Sequence, residues 1–138
     1  MQPKMNVSEM NEFLTSAFPQ INGRFEILEI ESLRARVRLL TAESDLRPGG
    51  TVSGPSMFGL ADVAFYIATL AMIGPKALTV TTNVSIDFMR KPEPTSMLAE
   101  ARILKLGRTL SVGDVTLYSE GKIEPVAHAN VTYSIPPK

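Results

Sequence analysis

The amino-acid sequence predicts a single α+β domain in which a curved antiparallel sheet wraps around one buried helix. The segment at residues 57–73 is apolar on nearly every face of a helix, so other elements must enclose it. Six other segments are predicted to be strands, two before this helix and four after it, and the clearest alternate apolar and polar residues. A sheet packed on one apolar helix satisfies both patterns, and 138 residues are the size of one domain.

The first predicted element is an amphipathic helix that begins at Asn6 and runs to about Ala17. The Asn6 side chain can cap the helix, and Glu9, three residues later, can bond back to the cap. Pro19 and Gly23 end the segment. The apolar residues of this helix fall along one stripe, which consists of Val7, Met10, Phe13, Leu14 and Phe18.

Two strands follow, at residues 25–31 and 33–39. The second alternates apolar residues with Arg34, Arg36 and Arg38, which is the pattern of a strand with one buried face and one wet face. Three arginines on one face could form an anion site, but a solvated strand face is the favoured interpretation.

A loop rich in glycine and proline, at residues 47–54, precedes the apolar helix. Pro55 suits the first helical position, where an N–H is not needed, and a glycine–proline pair ends the helix after residue 73. The apolar run approaches the length of a membrane span. Because it contains Asp62 and is followed by alternating strand patterns, a buried core helix is the favoured interpretation.

The last four predicted strands cover residues 78–89, 96–105, 110–119 and 126–135. A turn that contains Pro92 and Pro94 follows the first of them, and tight turns join the others. Consecutive strands joined by short turns predict an antiparallel meander.

Composition narrows the classes of function. Fourteen basic and fourteen acidic residues cancel, so no net field attracts nucleic acid or an anionic membrane. The chain contains no cysteine, which excludes disulfides and thiolate nucleophiles, and one histidine makes a zinc site unexpected. The polar start of the chain gives no sign of a signal peptide, so we expect a cytoplasmic protein without nucleic-acid or membrane partners.

Asp62 is the only formally charged residue between Arg47 and Lys76. Its helical neighbours three and four positions away offer no opposite charge; they are Phe58, Gly59, Phe65 and Tyr66. An unpaired carboxylate in apolar surroundings is costly, and leucine or alanine would serve folding better. Asp62 therefore meets a polar partner elsewhere, makes a structural hydrogen bond to a buried N–H, or does chemistry.

The start of the same helix offers a second chemical group. The free backbone N–H at Gly54, together with the helix dipole, can polarise a carbonyl and hold the oxyanion that forms on attack. Asp62 lies two turns further along, at roughly 12 Å by helix rise. One chain would hardly bring both groups to one atom, whereas two copies could do so if a neighbouring subunit supplied the carboxylate.

Two other side chains are weaker candidates for chemistry. Ser53 precedes the helix and has no histidine near it in the sequence, so a capping role is favoured over a nucleophilic one. His128, the single histidine, lies on the last strand. A Ser53–His128–Asp62 triad is compatible with the spacing but is disfavoured.

Together these segments resemble the PaaI-type hotdog-fold acyl-coenzyme A (acyl-CoA) thioesterases. Residues 50–55 (GTVSGP) and 60–62 (LAD) look like the family's loop and Leu-Ala-Asp motif, and residues 88–92 (FMRKP) resemble its Phe-Leu-Arg-Pro strand end. The resemblance covers about residues 49–134. It implies a sheet around one long helix, homodimers or homotetramers with sites between subunits, and hydrolysis of acyl-CoA thioesters, often of medium-chain or aromatic acids, without a metal or bound cofactor.

The resemblance also implies roles for individual residues. Asp62 would activate water as a general base or attack directly, from the opposite subunit, and the Gly54 N–H would polarise the thioester carbonyl. Thr81 matches a family serine or threonine that helps to place the nucleophilic water. The candidate substrate-binding residues are Arg47, Ser53, Phe65 and Tyr66.

Three positions differ from the family's pattern. Ser53 stands where the family has a histidine, Pro55 replaces a second glycine, and Arg47 falls where an asparagine orients water. Arg47 could pair with Asp62 of a partner subunit or hold a coenzyme phosphate. These differences motivate an alternative of another class, a non-catalytic acyl or acyl-CoA binding protein of the same fold. A purely structural oligomer is a third interpretation.

Overall fold

In the computed structural model, which describes residues 1–137, two α-helices pack with a six-stranded antiparallel sheet. The helices are α1 (Val7–Ala17) and α2 (Gly54–Ile73), and the strands are β1 (Phe25–Glu31), β2 (Arg34–Leu39), β3 (Val80–Phe88), β4 (Met97–Leu106), β5 (Leu110–Ser119) and β6 (Pro125–Ser134). Two short 3-10 turns lie at Pro19–Ile21 and Glu43–Asp45. Every predicted helix and strand is present, which confirms the predicted fold class.

The capping of α1 is as predicted. The Asn6 side chain accepts a hydrogen bond from the Glu9 N–H at 2.8 Å, and the Glu9 carboxylate accepts one from the Asn6 N–H at 3.0 Å. Met10 and Leu14 are buried on the inner side of the helix. The reciprocal bonds satisfy two of the amides that a helix start leaves free, and the apolar stripe docks the helix on the domain.

The sheet encloses α2 on most sides, as its apolar sequence predicted. Thirteen of its twenty residues are buried. Its length and a mean hydropathy of 1.7 would suffice to cross a bilayer. The apolar surface is instead covered by the domain itself, which is the arrangement of a core helix.

The order of the strands shows that part of the predicted meander is wrong. The sheet runs β1-β2-β4-β5-β6-β3, so the meander comprises β4, β5 and β6, while β3 pairs with β6 at the far edge. The prolines at 92 and 94 cannot donate to a strand ladder. The connection at residues 89–96 is long enough to cross from β3 to β4. Its residues can span up to about 3.3 Å each, and neighbouring strands are about 4.8 Å apart.

The arginines of β2 face solvent, which confirms the interpretation of this strand. The Arg36 Nε lies 3.4 Å from a Glu100 oxygen. Arg38 contacts Glu26 at 2.6 Å and Glu120 at 2.8 Å. These exposed ion pairs occupy two of the three arginines on this face, as expected for a wet strand surface.

Two neighbouring surfaces remain open on the side of β3. Within residues 1–137, β3 has no neighbouring strand on its outer edge. On α2, the sheet only partly covers a stripe at one-turn spacing; Pro55 and Phe58 on this stripe are exposed, Phe58 by 41%, and Asp62 is half-buried. A long open edge beside an apolar helix face is a surface that proteins normally cover.

Candidate functional site

The Asp62 carboxylate is held by two hydroxyl groups instead of a cation. The Thr81 Oγ1 donates to Asp62 Oδ1 at 2.6 Å, and the Tyr133 hydroxyl donates to the same oxygen at 2.6 Å. The Tyr133 hydroxyl also lies 2.9 Å from the Asp62 carbonyl oxygen. Asp62 forms no ion pair with any of residues 1–137, so hydroxyl donors provide the polar partner that its sequence environment lacked.

The sheet register explains why these groups meet. Thr81 on β3 and Tyr133 on β6 are directly paired. Both side chains lie on the face of the sheet that packs against the helix, where they contact Asp62. Thr81 was a predicted site residue, and the structure brings it to Asp62. Tyr133 was missed; the available signal was a tyrosine beside the buried Val131 and Ile135, because a buried tyrosine hydroxyl needs a partner. Burial, reinforced by the neighbouring Asp62 charge, raises the pKa of Tyr133.

A cleft of about 450 Å³ opens beside Asp62. Its walls are mainly apolar and come from the end of α1, from α2, and from the start of β3 with the segment before it; the residues include Phe18, Val63, Tyr66, Ala77 and Val80. The Tyr66 hydroxyl donates to the Ala77 carbonyl at 3.2 Å, and the Phe18 ring packs edge-on against Tyr66 at 6.0 Å. The carboxylate thus lies at an apolar cleft that is large enough for an acyl group.

Phe65 does not line this cleft, and its assignment as a substrate contact is corrected. The side chain is fully buried and packs against the Tyr133 ring at 5.8 Å. A Cβ on Gly113 would lie 2.7 Å from Cε1 of Phe65 and would overlap the Arg102 carbonyl oxygen. Phe65 therefore fills the space between α2 and Gly113 of β5. It does not share the cleft with its neighbour Tyr66 because adjacent helical residues point in different directions.

The start of α2 confirms the predicted cap. Ser53 is extended, and its side-chain oxygen accepts from the Ser56 N–H at 3.3 Å. Pro55 follows Gly54 in the first turn, and the Gly54 N–H donates to no group of residues 1–137. Gly54 is half-buried and lies close to Phe88 at the end of β3. The helix start therefore presents one free amide, as an oxyanion donor requires.

A buried carboxylate that the sequence did not reveal fixes this helix start. Asp45 is 1% exposed and accepts hydrogen bonds from the Arg24 guanidinium, from the Ala42 N–H at 2.9 Å and from the Ser56 hydroxyl at 2.8 Å. Its backbone carbonyl accepts the Ser53 N–H at 2.7 Å. Although burial alone raises the pKa of Asp45, the bonds from Ala42, Ser56 and Arg24 together lower it.

Replacing Asp45 with alanine is expected to destabilise the fold by about 2 kcal/mol, because Arg24 and the start of α2 lose a buried partner while the half-exposed Arg24 can still be hydrated. The pKa of Asp45 is lowered on folding, so its contribution is present above the unfolded value of about 3.9 and is lost as the pH falls through the folded value. Urea unfolding at pH 7 and pH 3 measures both effects.

The matched control for Asp45 is Glu43→Ala in the same 3-10 turn. Glu43 is exposed, so this change should alter the unfolding free energy by no more than about 0.5 kcal/mol. Equal losses for Asp45→Ala and Glu43→Ala would contradict an anchoring role for Asp45.

Arg47 lies on an exposed turn away from Asp62 of its own chain. The Arg47 N–H donates to the Thr51 carbonyl at 2.8 Å, and the Gly50 N–H donates to the Arg47 carbonyl at 2.9 Å. Gly49 and Gly50 have positive φ angles, which this turn requires. Arg47 makes no ion pair with any of residues 1–137, so its side chain is available to a ligand or a partner.

His128 belongs to a different cluster, and the disfavoured Ser53–His128–Asp62 triad does not form. The His128 Nε2 lies 3.1 Å from Asp114 Oδ2 on the outer face of the sheet, and Arg102 contacts the same carboxylate at 2.9 Å. Within residues 1–137, no three His, Cys, Asp or Glu side chains are grouped so as to hold a metal ion.

Asp62 and Gly54 lie at opposite ends of β3. Thr81, at the start of the strand, contacts Asp62, whereas Phe88, at its end, lies beside Gly54. β3 therefore runs antiparallel to the first two turns of α2. One chain holds both groups apart, as the helix rise predicted.

Comparison with known proteins adds independent findings. The sequence model of the thioesterase superfamily matches residues 49–126. A candidate thioesterase from Silicibacter sp. TM1040 is 53% identical, with a TM-score of 0.92 over 99% of this chain and 96% of that one. A variant of the phenylacetic acid degradation protein PaaI from Thermus thermophilus is 26% identical, with a TM-score of 0.73 over 86% of this chain and 99% of that one. A Streptococcus mutans UA159 protein bound to acetyl-CoA is also 26% identical, with a TM-score of 0.70 over 85% and 92%.

Proposed function

We propose a substrate and a mechanism for this chain, which belongs to the thioesterase superfamily. The superfamily's model matches more than half of the residues, and the protein is a thioester hydrolase. We propose that its substrates are acyl-CoA thioesters with a medium-chain or aromatic acyl group. The similar S. mutans protein binds acetyl-CoA, and the apolar cleft beside Asp62 has room for an acyl group larger than acetyl.

The observation that carries the mechanism is a carboxylate with one free oxygen at the edge of an apolar cleft. Both hydroxyl donors bond to Asp62 Oδ1, and no side chain of residues 1–137 donates to Oδ2. Asp62 Oδ2 can take a proton from water as the water oxygen bonds to the thioester carbon, or it can attack that carbon itself. In the first route the carbon–sulfur bond breaks, the free acid is released, and the coenzyme A thiolate takes up the proton that Asp62 removed from water. In the second route the thiolate leaves and is protonated by solvent, and water then hydrolyses the anhydride formed between the acyl group and Asp62, which frees the acid and the carboxylate.

The second half of the site is proposed to come from another copy of the chain. If β3 pairs antiparallel with β3 of a partner about a two-fold axis, the start of one strand faces the end of the other. Asp62, beside Thr81, then approaches the end of the partner strand, where Phe88 marks the position of Gly54. The free Gly54 N–H of the partner subunit could polarise the carbonyl that Asp62 acts on.

Exposed apolar residues along β3 support this assembly. Val80 is 53% exposed, Phe88 and Met89 are each 50% exposed, and Phe58 on the neighbouring helix face is 41% exposed. An unpaired edge strand with apolar side chains favours self-association. We propose a homodimer built on β3, or a homotetramer made of two such dimers.

Three further residues have proposed roles at this site. Thr81 holds the Asp62 carboxylate and so helps to place the attacking water. Arg47 is exposed and could hold a coenzyme phosphate or meet Asp62 of a partner subunit. Ser53 keeps the helix start in the geometry that frees the Gly54 amide.

Release of free coenzyme A from a panel of acetyl, medium-chain, long-chain and aromatic acyl-CoAs tests the proposal. The chain has no cysteine, so a thiol-reactive dye reports product alone. We expect the highest kcat/KM for medium-chain or aromatic groups and lower values for acetyl-CoA. Saturable binding of these ligands without turnover would instead support a non-catalytic acyl-CoA binding protein.

A further inference from the structure

We infer that Tyr133 is a positioning residue, whose hydroxyl fixes Asp62 so that Oδ2 is the oxygen that acts in the reaction. This inference rests on the proposed function of Asp62. It adds a residue that lies 71 positions away in the sequence, on a strand of the sheet that packs against α2.

A single oxygen of Asp62 accepts both hydroxyl hydrogen bonds. A carboxylate oxygen has two lone-pair directions. Asp62 Oδ1 accepts two short hydrogen bonds, from Thr81 Oγ1 and from the Tyr133 hydroxyl, each at 2.6 Å. Both directions of Oδ1 are therefore used, and Oδ2 remains the basic oxygen that can meet water.

Tyr133 is held in place by the packing around its ring. The Tyr133 side chain is 3% exposed, and its ring packs against Phe65 at 5.8 Å and Tyr66 at 5.9 Å. Its hydroxyl also lies 2.9 Å from the Asp62 backbone carbonyl oxygen. The hydroxyl therefore contacts both the Asp62 side chain and the backbone of α2. Thr81 is exposed at the start of an edge strand. Tyr133 is thus the more rigid of the two donors.

The Tyr133 phenol donates to a carboxylate on a helix that is otherwise apolar. A hydroxyl that donates to a carboxylate stabilises its ionised form, most strongly where water is excluded. Burial and the Asp62 charge raise the pKa of Tyr133, so the phenol keeps its proton and remains a donor at working pH. Tyr66, on α2, is the other titratable group that acts on Tyr133. Tyr133 thereby supplies a hydrogen-bond donor to Asp62 in an apolar helix that offers no cation.

Tyr133→Phe removes one oxygen atom and retains the packed ring. We expect kcat on the best acyl-CoA to fall about tenfold and the acid limb of the pH–kcat profile to move up by about one pH unit, because one charge-assisted hydrogen bond is lost. KM should change little, since the cleft walls remain. A tyrosine that only satisfied its own buried hydroxyl would leave the acid limb where it is.

Tyr118→Phe is the matched control. Tyr118 lies on the outer face of β5 and also faces a carboxylate, that of Glu100, away from the cleft. Its removal should leave kcat and the acid limb unchanged. An acid limb that stays in place in folded Tyr133→Phe, or moves equally in Tyr118→Phe, would overturn the inference.

A second measurement avoids any loss of folding. The chain has three tyrosines, so in a Tyr66→Phe, Tyr118→Phe double variant Tyr133 is the only tyrosine that remains. Replacing it with 3-fluorotyrosine strengthens the donor without removing it, and the acid limb should move to lower pH than in the same background with tyrosine. No movement would overturn the inference. Loss of activity in Tyr133 variants would not contradict the catalytic role of Asp62. Full activity in Asp62→Asn would contradict the proposed function itself.

Discussion

Asp62→Asn is expected to lower kcat on the best acyl-CoA substrate by about 100- to 10,000-fold, the range that a positioned general base contributes. Asparagine has the same shape, and its side-chain oxygen can still accept hydrogen bonds from Thr81 and Tyr133. The fold should therefore persist while the proton acceptor is lost. Coenzyme A release measures the rate, and thermal unfolding checks that the protein is folded.

Asp114→Asn is the control for this change. Asp114 is also largely buried and hydrogen-bonded, but it lies on the outer face of the sheet with Arg102 and His128. Its substitution should leave kcat close to the wild-type value. If Asp62→Asn retained the wild-type rate, Asp62 would be a structural hydrogen-bond acceptor and not the catalytic carboxylate.

Features encoded by local sequence could be predicted. The capping box of α1 needs two residues three positions apart, and the burial of α2 follows from its composition over five turns. Asp62 could be identified because one charge in an apolar run conflicts with stability. The Gly54 amide could be identified because every helix start leaves free N–H groups.

Features that depend on non-local pairing could not be predicted. The position of β3 beside β6 is set by which strand edges meet, and strand patterns do not specify partners. For the same reason Tyr133 was missed, although it directly contacts Asp62. Asp45 has no distinguishing local sequence, and only the fold brings Arg24 and Ser56 to it. These contacts come from the assembled fold and not from any one segment.

Gly54→Pro is expected to lower kcat by about 100- to 1,000-fold, the effect of losing one oxyanion donor. Proline is accepted at the first helical position, and Ser53 already has the extended conformation (φ −74, ψ 155) that a residue before proline adopts. A Cβ at this position would lie 3.6 Å from the Phe88 ring, an ordinary contact. The substitution thus removes the N–H, but residue 54 itself precedes Pro55, where any side chain disfavours the helical conformation. Gly54→Ala carries the same Cβ before Pro55 and keeps the N–H, so it is the control.

Mixing the two inactive variants decides whether one site uses two chains. If Asp62 and Gly54 of a site come from different subunits, a mixed dimer of Asp62→Asn and Gly54→Pro chains has one site with both groups intact and one site with neither. Random exchange of equal amounts should restore about a quarter of the wild-type activity, since half of the dimers are mixed and each has one good site. If both groups of a site came from the same chain, every site would carry one defect and the mixture would remain inactive. The separation of Asp62 and Gly54 at opposite ends of β3 therefore predicts recovery.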